Sequence, residues 1–214
     1  MTGRLEACIK LAKKVGIKNR AVLDVGCSYG WFLNIAFKEG SKSVYGVEPD
    51  NEKIELAKKS APKAVVIKGT AGKIDFPKNK FDVVTLFDVI EHVPAKTEPQ
   101  VLKEINKVLK PKGHLLVSTP SHNLFSTFSD PAWYFGHRHY SENDLTKLLN
   151  DAGFTIESLE IKGGIWEVIA MWVLYITKWI FRIPMPFEEW FDIKRRKEFN
   201  HPGNIELFVI AQKN

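Results

Sequence analysis

The chain has 214 residues, of which 44% are hydrophobic and 26% are charged. This length suits one large domain, or one domain that carries an insertion, and the composition excludes a disordered or collagen-like chain. Because 31 lysines and arginines stand against 25 aspartates and glutamates, the net charge is +6, which permits an anionic partner without requiring one. The basic residues are scattered, which argues against a nucleic acid as partner.

Cys8 and Cys27 are the two cysteines of the sequence. Two cysteines form neither a disulfide framework nor a zinc site, which favours a reducing compartment. The N-terminal residues lack the apolar stretch of a signal peptide. We therefore expect a cytoplasmic protein and leave open a peripheral position at a membrane surface.

Apolar runs and helical periodicity alternate along the chain. After a leading helix at 4–16, strands are predicted at 21–25, 43–47, 64–67, 81–87, 114–118, 155–161 and 205–211. Helices are predicted at 29–38, 51–60, 99–109 and 141–150, with Asp50 and Ser141 as N-caps. The strands are apolar throughout rather than alternating, which predicts an α/β fold with a largely parallel sheet between two layers of helices.

Ligands of such a sheet bind outside the carboxyl ends of its strands, where the strand order switches. The predicted site therefore lies in the loops at 26–30, 48–50, 69–75, 88–93 and 119–140. In the first loop, small residues after a strand let the backbone approach a ligand, although a tight turn alone has the same pattern. Glu48 ends the second strand, where a carboxylate can accept hydrogen bonds from both ribose hydroxyls of an adenosine-containing ligand. A solvated acid is the alternative.

Four segments together resemble the class I S-adenosylmethionine-dependent methyltransferases. They are Leu-Asp-Val-Gly-Cys-Ser-Tyr-Gly at 23–30, Val-Tyr-Gly-Val-Glu at 44–48, Phe-Asp-Val-Val at 81–84 followed by Asp-Val-Ile-Glu-His-Val at 88–93, and the helix, turn and strand at 102–120. The resemblance covers about residues 20–160 and resumes with the last strand. It implies a Rossmann-like fold with a seven-stranded, mostly parallel sheet and S-adenosylmethionine as cofactor.

The resemblance also assigns roles to individual residues. The methionine part of the cofactor would meet the backbone of the first loop, Asp24 would orient that loop, Glu48 would hold the ribose, and the backbone after the fourth strand would face the amino group. The implied cofactor-binding residues are Asp24, Gly26, Cys27, Ser28, Gly30, Glu48, Pro49, Thr70, Ala71, Phe87 and Asp88. Ser28 stands where the family usually has glycine, and Thr70 and Gly72 replace acidic residues of its adenine loop.

The turn after the fourth strand holds Asp88, Glu91 and His92. It is similar to a Glu-x-x-Glu-His sequence of ubiquinone-pathway O-methyltransferases that is tied to a divalent cation, with aspartate for the first glutamate. A cation there would lower the pKa of a substrate hydroxyl. A metal-free helix-start turn is the alternative, so the metal stays unknown. We predict His92 as the catalytic residue, since the pKa of an imidazole lies near neutrality.

An aromatic run with two histidines, residues 130–141, precedes the last predicted helix. Relatives carry a similar run on the substrate side, so His137, His139 and Tyr140 are predicted to bind the substrate. Metal ligation or packing are the alternatives. The aromatic content suggests an acceptor that is apolar or bears a ring.

Residues 162–203 form a hydrophobic insertion, and residues 1–161 and 204–214 form the predicted methyltransferase domain. The uncharged run at 168–177 is shorter than the about 20 residues that a membrane span needs. A helix so apolar is expected to bury most of its circumference. A lid over the substrate, a homodimer interface and contact of residues 165–197 with a membrane surface stay open.

These features predict methyl transfer from S-adenosylmethionine to a small-molecule acceptor, hydrophobic or lipid-linked, at a hydroxyl oxygen. Catalysis would come from positioning and desolvation, with help from His92. Two alternatives remain: a protein that binds the cofactor without catalysis, and a nicotinamide-dependent oxidoreductase. The first loop does not fit the G-x-G-x-x-G pattern of the oxidoreductases.

Overall fold

The computed structural model describes residues 2–123, 126–127, 133 and 136–214. The strands are β1 Ala21–Val25, β2 Ser43–Glu48, β3 Val65–Lys68, β4 Phe81–Phe87, β5 Leu109–Pro120, β6 Phe154–Lys162 and β7 Glu206–Lys213. The helices are α1 Gly3–Val15, α2 Trp31–Lys38, α3 Asn51–Ser60, α4 Glu98–Val108, α5 Glu142–Asp151, α6 Ile165–Tyr175, a π-helix Ile176–Phe181, and α7 Glu188–Glu198.

The strands form one seven-stranded sheet in the order β3-β2-β1-β4-β5-β7-β6. β7 runs antiparallel between β5 and β6, and the other pairings are parallel. The order reverses between β1 and β4, so the loops after these two strands meet at the switch point where α/β sheets bind ligands. The predicted fold class is confirmed.

Each face of the sheet carries its own apolar core. Leu23 of β1 packs on one face with residues of α4 and α5, and its neighbour Val22 packs on the other face with residues of α1, α2 and α3. Successive strand residues point to opposite faces, so a strand covered on both sides must be apolar at every position. This is why the strands read as continuous apolar runs.

Local signals placed the helix starts correctly. The Asp50 carboxylate accepts hydrogen bonds from the N–H groups of Glu52 and Lys53, and the Ser141 hydroxyl accepts one from Asp144 N. Most element bounds lie within two residues of the prediction. The exception is β5, which begins at Leu109 because Phe81 pairs with Leu109 before the register shifts.

The insertion between β6 and β7 is helical, but its first helix exposes more apolar surface than predicted. Glu167 of α6 is buried and binds Arg195 of α7 through two short contacts, Nε–Oε2 at 2.6 Å and Nη2–Oε1 at 3.0 Å. Glu167 of α6 therefore faces inward, and large apolar side chains such as Ile165 and Trp172 are exposed. The expectation that this helix buries most of its circumference was wrong. Among the described helices, none combines the length and the apolar character that crossing a bilayer requires.

Candidate functional site

The loop after β1 has a backbone that few residues other than glycine adopt. Gly26, Ser28 and Gly30 have φ angles of 76°, 47° and 79°. A Cβ atom on Gly26 would lie 2.4 Å from Cγ2 of Val89, in the loop after β4, so only glycine fits between the two strand ends. The N–H groups of Gly26 and Cys27 both donate to the Val47 carbonyl, at 2.8 and 3.1 Å. The loop is thus tied to β2.

Glu48 lies where the sequence predicted, at the end of β2 beside this loop. Its carboxylate is buried, and it accepts hydrogen bonds from Ser28 N at 2.9 Å and Asp50 N at 3.2 Å, one on each oxygen. A carboxylate has about four acceptor positions, so each oxygen keeps one for a further donor. These two free acceptor positions fit the two hydroxyls of a ribose. The glycine loop and Glu48 therefore fit the adenosyl cofactor that the sequence implied.

Asp24 lies in β1 next to the loop, and the pKa of its carboxyl is shifted. Burial raises the pKa of its carboxyl to about 7; the nearby Glu48 adds to the rise, and a 2.6 Å hydrogen bond from the Thr85 hydroxyl opposes it. At neutral pH this group is poised between its two forms. Binding of a cation nearby would favour the ionised form.

The predicted adenine loop follows β3 and is joined to the end of β2. The N–H of Gly69 donates to the Glu48 carbonyl at 3.2 Å, which brings Thr70 and Ala71 next to the ribose position. Thr70 and Pro49 are exposed, and Ala71 is partly buried against the core. Thr70 and Gly72 place no acidic side chain beside Ala71.

Phe87 and Asp88 end β4 on the other side of the switch point. The Phe87 ring packs against Phe32 and Trp31, with ring centroids 5.2 and 6.1 Å apart. Asp88 has a left-handed backbone (φ 54°), and its N–H donates to the Ser118 carbonyl. Its side chain accepts a 2.6 Å hydrogen bond from the Ser118 hydroxyl and turns towards α1.

A partly buried charged group that the sequence did not predict surrounds the Asp88 side chain. Arg4 Nη1 of α1 lies 3.3 Å from Asp88 Oδ2 and 3.9 Å from Glu206 Oε2 of β7. Burial raises the pKa of Glu206 well above its usual range, and the Asp88 charge raises it further. Burial alone would raise the pKa of Asp88 as well, but Arg4 and hydrogen bonds from Glu206 and Ser118 lower it. The arrangement therefore favours a proton on Glu206 and a charge on Asp88.

Two atoms of this group have unmet hydrogen-bonding capacity. Arg4 Nε and Glu206 Oε1 are buried and have no hydrogen-bond partner among the described residues. Unsatisfied buried polar atoms are costly, so they mark a place where a ligand or water belongs. One signal for Glu206 was present in the sequence, since it is the single acid at the start of an otherwise apolar strand. Arg4 had no such signal.

Glu91, His92 and His137 form a second cluster, and each offers a ligand atom within 4.8 Å of the others. Glu91 is buried; its Oε2 accepts from the Thr119 hydroxyl at 3.1 Å, and its Oε1 has no hydrogen-bond partner among the described residues and lies 3.8 Å from His137 Nε2. The rings of His92 and His137 are 4.7 Å apart. His137 thus replaces Asp88 as the third member of the group that the sequence suggested.

The pKa values in this cluster are shifted in opposite directions. Burial raises the pKa of Glu91 to about 8, and the Asp88 charge adds to the rise. Partial desolvation and the adjacent His137 lower the pKa of His92, although Asp88 opposes this. His92 is therefore neutral near pH 7 and able to accept a proton.

Tyr140 and Arg138 lie behind the cluster and hold its loop. The Tyr140 hydroxyl donates to the Ile90 carbonyl at 3.1 Å, and Arg138 donates to the same carbonyl at 2.8 Å and to Glu98 Oε1 at 2.6 Å. Tyr140 is 7% exposed, so this structure gives it a packing position beside the predicted substrate side. Residues 130–132 and 134–135 of the aromatic run lie outside the described residues.

A cavity of about 290 Å³ joins the charged group to the insertion. Arg4, Glu206, His137 and His139 line one side of it, and Ala170, Met171, Leu174 and Tyr175 of α6 line the other. His92 lines the adjoining hollow with Glu91, and His137 borders both spaces. His137 therefore connects the cavity with the residue predicted to be catalytic.

Comparison with known proteins agrees with this arrangement. Residues 3–159 match the family described as methyltransferase domain, over more than half of the chain. A probable S-adenosylmethionine-dependent methyltransferase of Mycolicibacterium smegmatis is 32% identical over 139 residues, which are 64% of this chain and 53% of that protein. A ubiquinone biosynthesis O-methyltransferase of Vibrio cholerae is 31% identical over 121 residues, which are 54% of this chain and 48% of that protein. The chain spans about half the length of these curated relatives.

Solved structures share the fold over nearly the whole chain. A SAM-dependent methyltransferase from Methanosarcina mazei has a TM-score of 0.66 at 21% identity, over 95% of this chain and 96% of that one. An S-adenosylmethionine dependent methyltransferase from Mesorhizobium loti has a TM-score of 0.64 at 16% identity, over 97% and 98%. The chain therefore belongs to the methyltransferase domain family, among the class I S-adenosylmethionine-dependent methyltransferases.

Proposed function

We propose that the protein transfers a methyl group from S-adenosylmethionine to a hydroxyl oxygen of a small acceptor that is hydrophobic or lipid-linked. The cavity beside the switch point carries this proposal, because it combines polar groups near the strand ends with an apolar wall. The family membership and the name of the Vibrio cholerae relative support the donor and the oxygen, respectively.

The residues at the ends of β1 and β2 would hold the donor. Gly26, Cys27, Ser28 and Gly30 present backbone rather than side chains, and Glu48 has acceptor positions for the ribose. The bound cofactor supplies an electrophilic methyl group. Asp24, buried next to the loop, stabilises positive charge in its ionised form.

The acceptor would lie with its apolar part against α6. Ala170, Met171 and Leu174 give this wall, and Arg4 and Glu206 give a polar end with unmet hydrogen-bonding capacity. An acceptor that carries one hydroxyl on an apolar body satisfies both ends. Binding there removes water from the hydroxyl and fixes its direction, which are the main contributions to rate in such a reaction.

The two histidines would receive the hydroxyl proton. His137 borders the cavity, and its ring lies against that of His92, whose lowered pKa keeps it neutral. General-base help of this kind contributes about 10²–10⁴-fold to a rate. Replacing His92 with Asn should therefore lower kcat without changing affinity for the demethylated cofactor. Equal kcat values in the two proteins would remove His92 from the proton path.

A divalent cation is a second candidate for the same cluster. The unpartnered Glu91 oxygen and two imidazoles form a donor set that suits zinc or manganese, and Glu91, His92 and His137 would hold the ion. Such an ion would lower the pKa of the acceptor hydroxyl. Zinc or manganese should then raise the melting temperature of the wild type and not of Glu91→Gln. Equal shifts in both proteins would contradict the site.

The donor assignment can be tested by calorimetry with S-adenosylhomocysteine and with NADH. We expect binding of the first alone, and at least about tenfold weaker binding by Glu48→Gln, which loses an ionised acceptor of hydrogen bonds. Glu55→Gln is the matched control, because Glu55 is an exposed acid on α3 that is paired with Lys58. Heat with NADH but not with S-adenosylhomocysteine would overturn the proposal.

The acceptor atom can be tested with three compounds that share one alkyl chain and differ in a single group. A phenol, a thiophenol and an aniline of this type are incubated with methyl-labelled cofactor, and the products are identified by mass spectrometry. We expect the methyl ether as the main product. Methylation of the sulfur or nitrogen compound without the ether would overturn the assignment to oxygen.

A further inference from the structure

The insertion exposes an unusual amount of apolar surface. Of the fifteen large apolar side chains exposed among the described residues, eleven lie between residues 165 and 193. Residues 172–187, here called the apolar edge, carry eight of them. Contiguous exposed apolar surface on a water-soluble fold marks a place of contact with another molecule or with lipid.

The tip of the apolar edge projects from the protein. Trp179, Ile180 and Phe181 are consecutive residues of the π-helix and are 73%, 69% and 63% exposed. Consecutive helical residues point in clearly different directions, so three exposed neighbours cannot lie on one surface-facing stripe. This end of the helix is therefore surrounded by solvent on most sides, as a segment that inserts into another phase would be.

The charges on the apolar edge have one sign. Lys178 and Arg182 are its only charged residues, and both are exposed. Acidic residues begin only at Glu188, in α7. Lys194 of α7 adds a further cation next to two rings, at 5.4 Å from Trp166 and 5.3 Å from Trp190. Aromatic and basic residues in this combination are typical of proteins that lie in a membrane interface.

We propose that the apolar edge docks into the headgroup region of an anionic lipid bilayer. Trp179, Ile180 and Phe181 enter the interface, and Lys178 and Arg182 contact the lipid phosphates. Because none of the described helices is long and apolar enough to cross a bilayer, the contact is peripheral.

A second copy of the chain is a poorer occupant of this surface. In a twofold dimer the same patch faces itself, so Lys178 and Arg182 would approach their own copies. Like charges brought together in an apolar contact oppose association. A phosphate-rich surface removes this conflict and is complementary to both residues.

The docking surface is continuous with the cavity of the proposed function. Met171, Leu174 and Tyr175 line the cavity, and Trp172 and Ile176, their neighbours on the same helix, are exposed. Docking would therefore bring the acceptor cavity close to the lipid. This last step rests on the proposed function and makes a lipid-dissolved acceptor the natural substrate; the docking itself does not depend on methyl transfer.

Flotation of the full chain with vesicles tests the proposal. We compare the fraction of protein that binds two kinds of vesicle. One kind is phosphatidylcholine alone, and the other contains three parts in ten of phosphatidylglycerol. We expect at least roughly tenfold stronger partition onto the anionic vesicles, weakened by salt. The triple variant W179S/I180S/F181S should lose binding, and K178E/R182E should lose the preference for anionic lipid.

The control is Leu56→Ser/Val65→Ser, which removes two exposed apolar side chains far from the insertion in sequence. It should bind like the wild type, and circular dichroism should show all variants folded. Equal partition of the wild type onto both vesicles, or wild-type binding by the triple variant, would overturn the proposal. The proposal would also be overturned if the wild type formed a dimer that the triple variant did not form, and if neither protein bound vesicles. Methyl transfer to a soluble phenol, measured in parallel, separates failure of docking from failure of the proposed function.

Discussion

The switch point and the apolar edge differ in which kinds of side chain they bury and expose. At the switch point, Glu48 and Asp24 are polar residues that the fold buries; at the edge, Trp179 and Phe181 are apolar residues that it exposes. Each arrangement is unfavourable for stability when considered alone. Buried carboxylates lose their hydration, and exposed rings do not contribute the free energy of burying apolar surface. Residues placed against the folding preference are therefore the ones to examine for function.

The largest effect is expected from a substitution at Gly26, in the loop after β1. Gly26→Ala should abolish binding of S-adenosylhomocysteine and lower the free energy of unfolding by about 2–4 kcal/mol, because it combines a left-handed backbone with a clash. The left-handed φ is 76°, and the clash is with Val89 at 2.4 Å. Urea unfolding and calorimetry measure the two effects.

Gly16 is the matched control for this substitution. It has a similar φ of 79°, but a Cβ there would meet nothing within 4 Å. Gly16→Ala should cost only the backbone strain, about 1 kcal/mol, and leave cofactor binding intact. If the two variants lost equal stability, the close approach of the β1 and β4 loops would not be a feature of the protein in solution.

The sequence predicted the switch point well because its determinants are local. A glycine turn, an N-cap at Asp50 and an acid at the end of β2 are each specified within a few residues of one another. Arg4 and Glu206 were missed because they meet from opposite ends of the chain, and no short pattern records such a contact. The burial of α6 was predicted wrongly for the same reason. An almost wholly apolar helix has no clear polar face, so the partner of Glu167 decided which side turned inward.

That partner contact gives the second prediction. Glu167→Ala leaves Arg195 buried without its main partner, which should lower the free energy of unfolding by about 3 kcal/mol. Asp192, 3.5 Å from Arg195, limits the loss. Denaturant unfolding provides the measurement, with Lys58→Ala as control, since its exposed pair with Glu55 should contribute too little to detect. Unchanged stability in Glu167→Ala would mean that α6 packs by its apolar side after all.

A third prediction concerns the pH dependence that the buried carboxyl of Asp24 gives to stability and to cofactor binding. The pKa of Asp24 is raised to about 7, so the stability linked to its protonated form is complete below the unfolded pKa and is lost as pH rises through about 7. Cofactor binding has the opposite dependence, because the ammonium group of the ligand's methionine part favours the ionised carboxylate. We expect affinity for S-adenosylhomocysteine to rise by at most about tenfold from pH 6 to pH 8. Binding should release protons from the protein to the buffer.

Asp24→Asn isolates this effect from the other buried carboxyls. Glu91 and Glu206 also have raised pKa values, but they remain in the variant. Calorimetry in buffers of different ionisation enthalpy should show proton release for the wild type and less release for the variant. Identical release from both proteins would place the linked proton elsewhere, with Glu91 as the next group to test.

The smallest expected effect on stability belongs to the apolar edge. Trp179→Ser should change the free energy of unfolding by no more than about 0.5 kcal/mol, because the ring is 73% exposed and contributes little burial. Phe32→Ala, which removes a fully buried ring between α2 and β4, should cost about 3–5 kcal/mol in the same assay. A loss of several kcal/mol in Trp179→Ser would show that the edge packs on the domain in solution and would remove the reason to seek a partner for it. A neutral result means that folding does not require these rings, so their presence has to be explained by what the edge contacts.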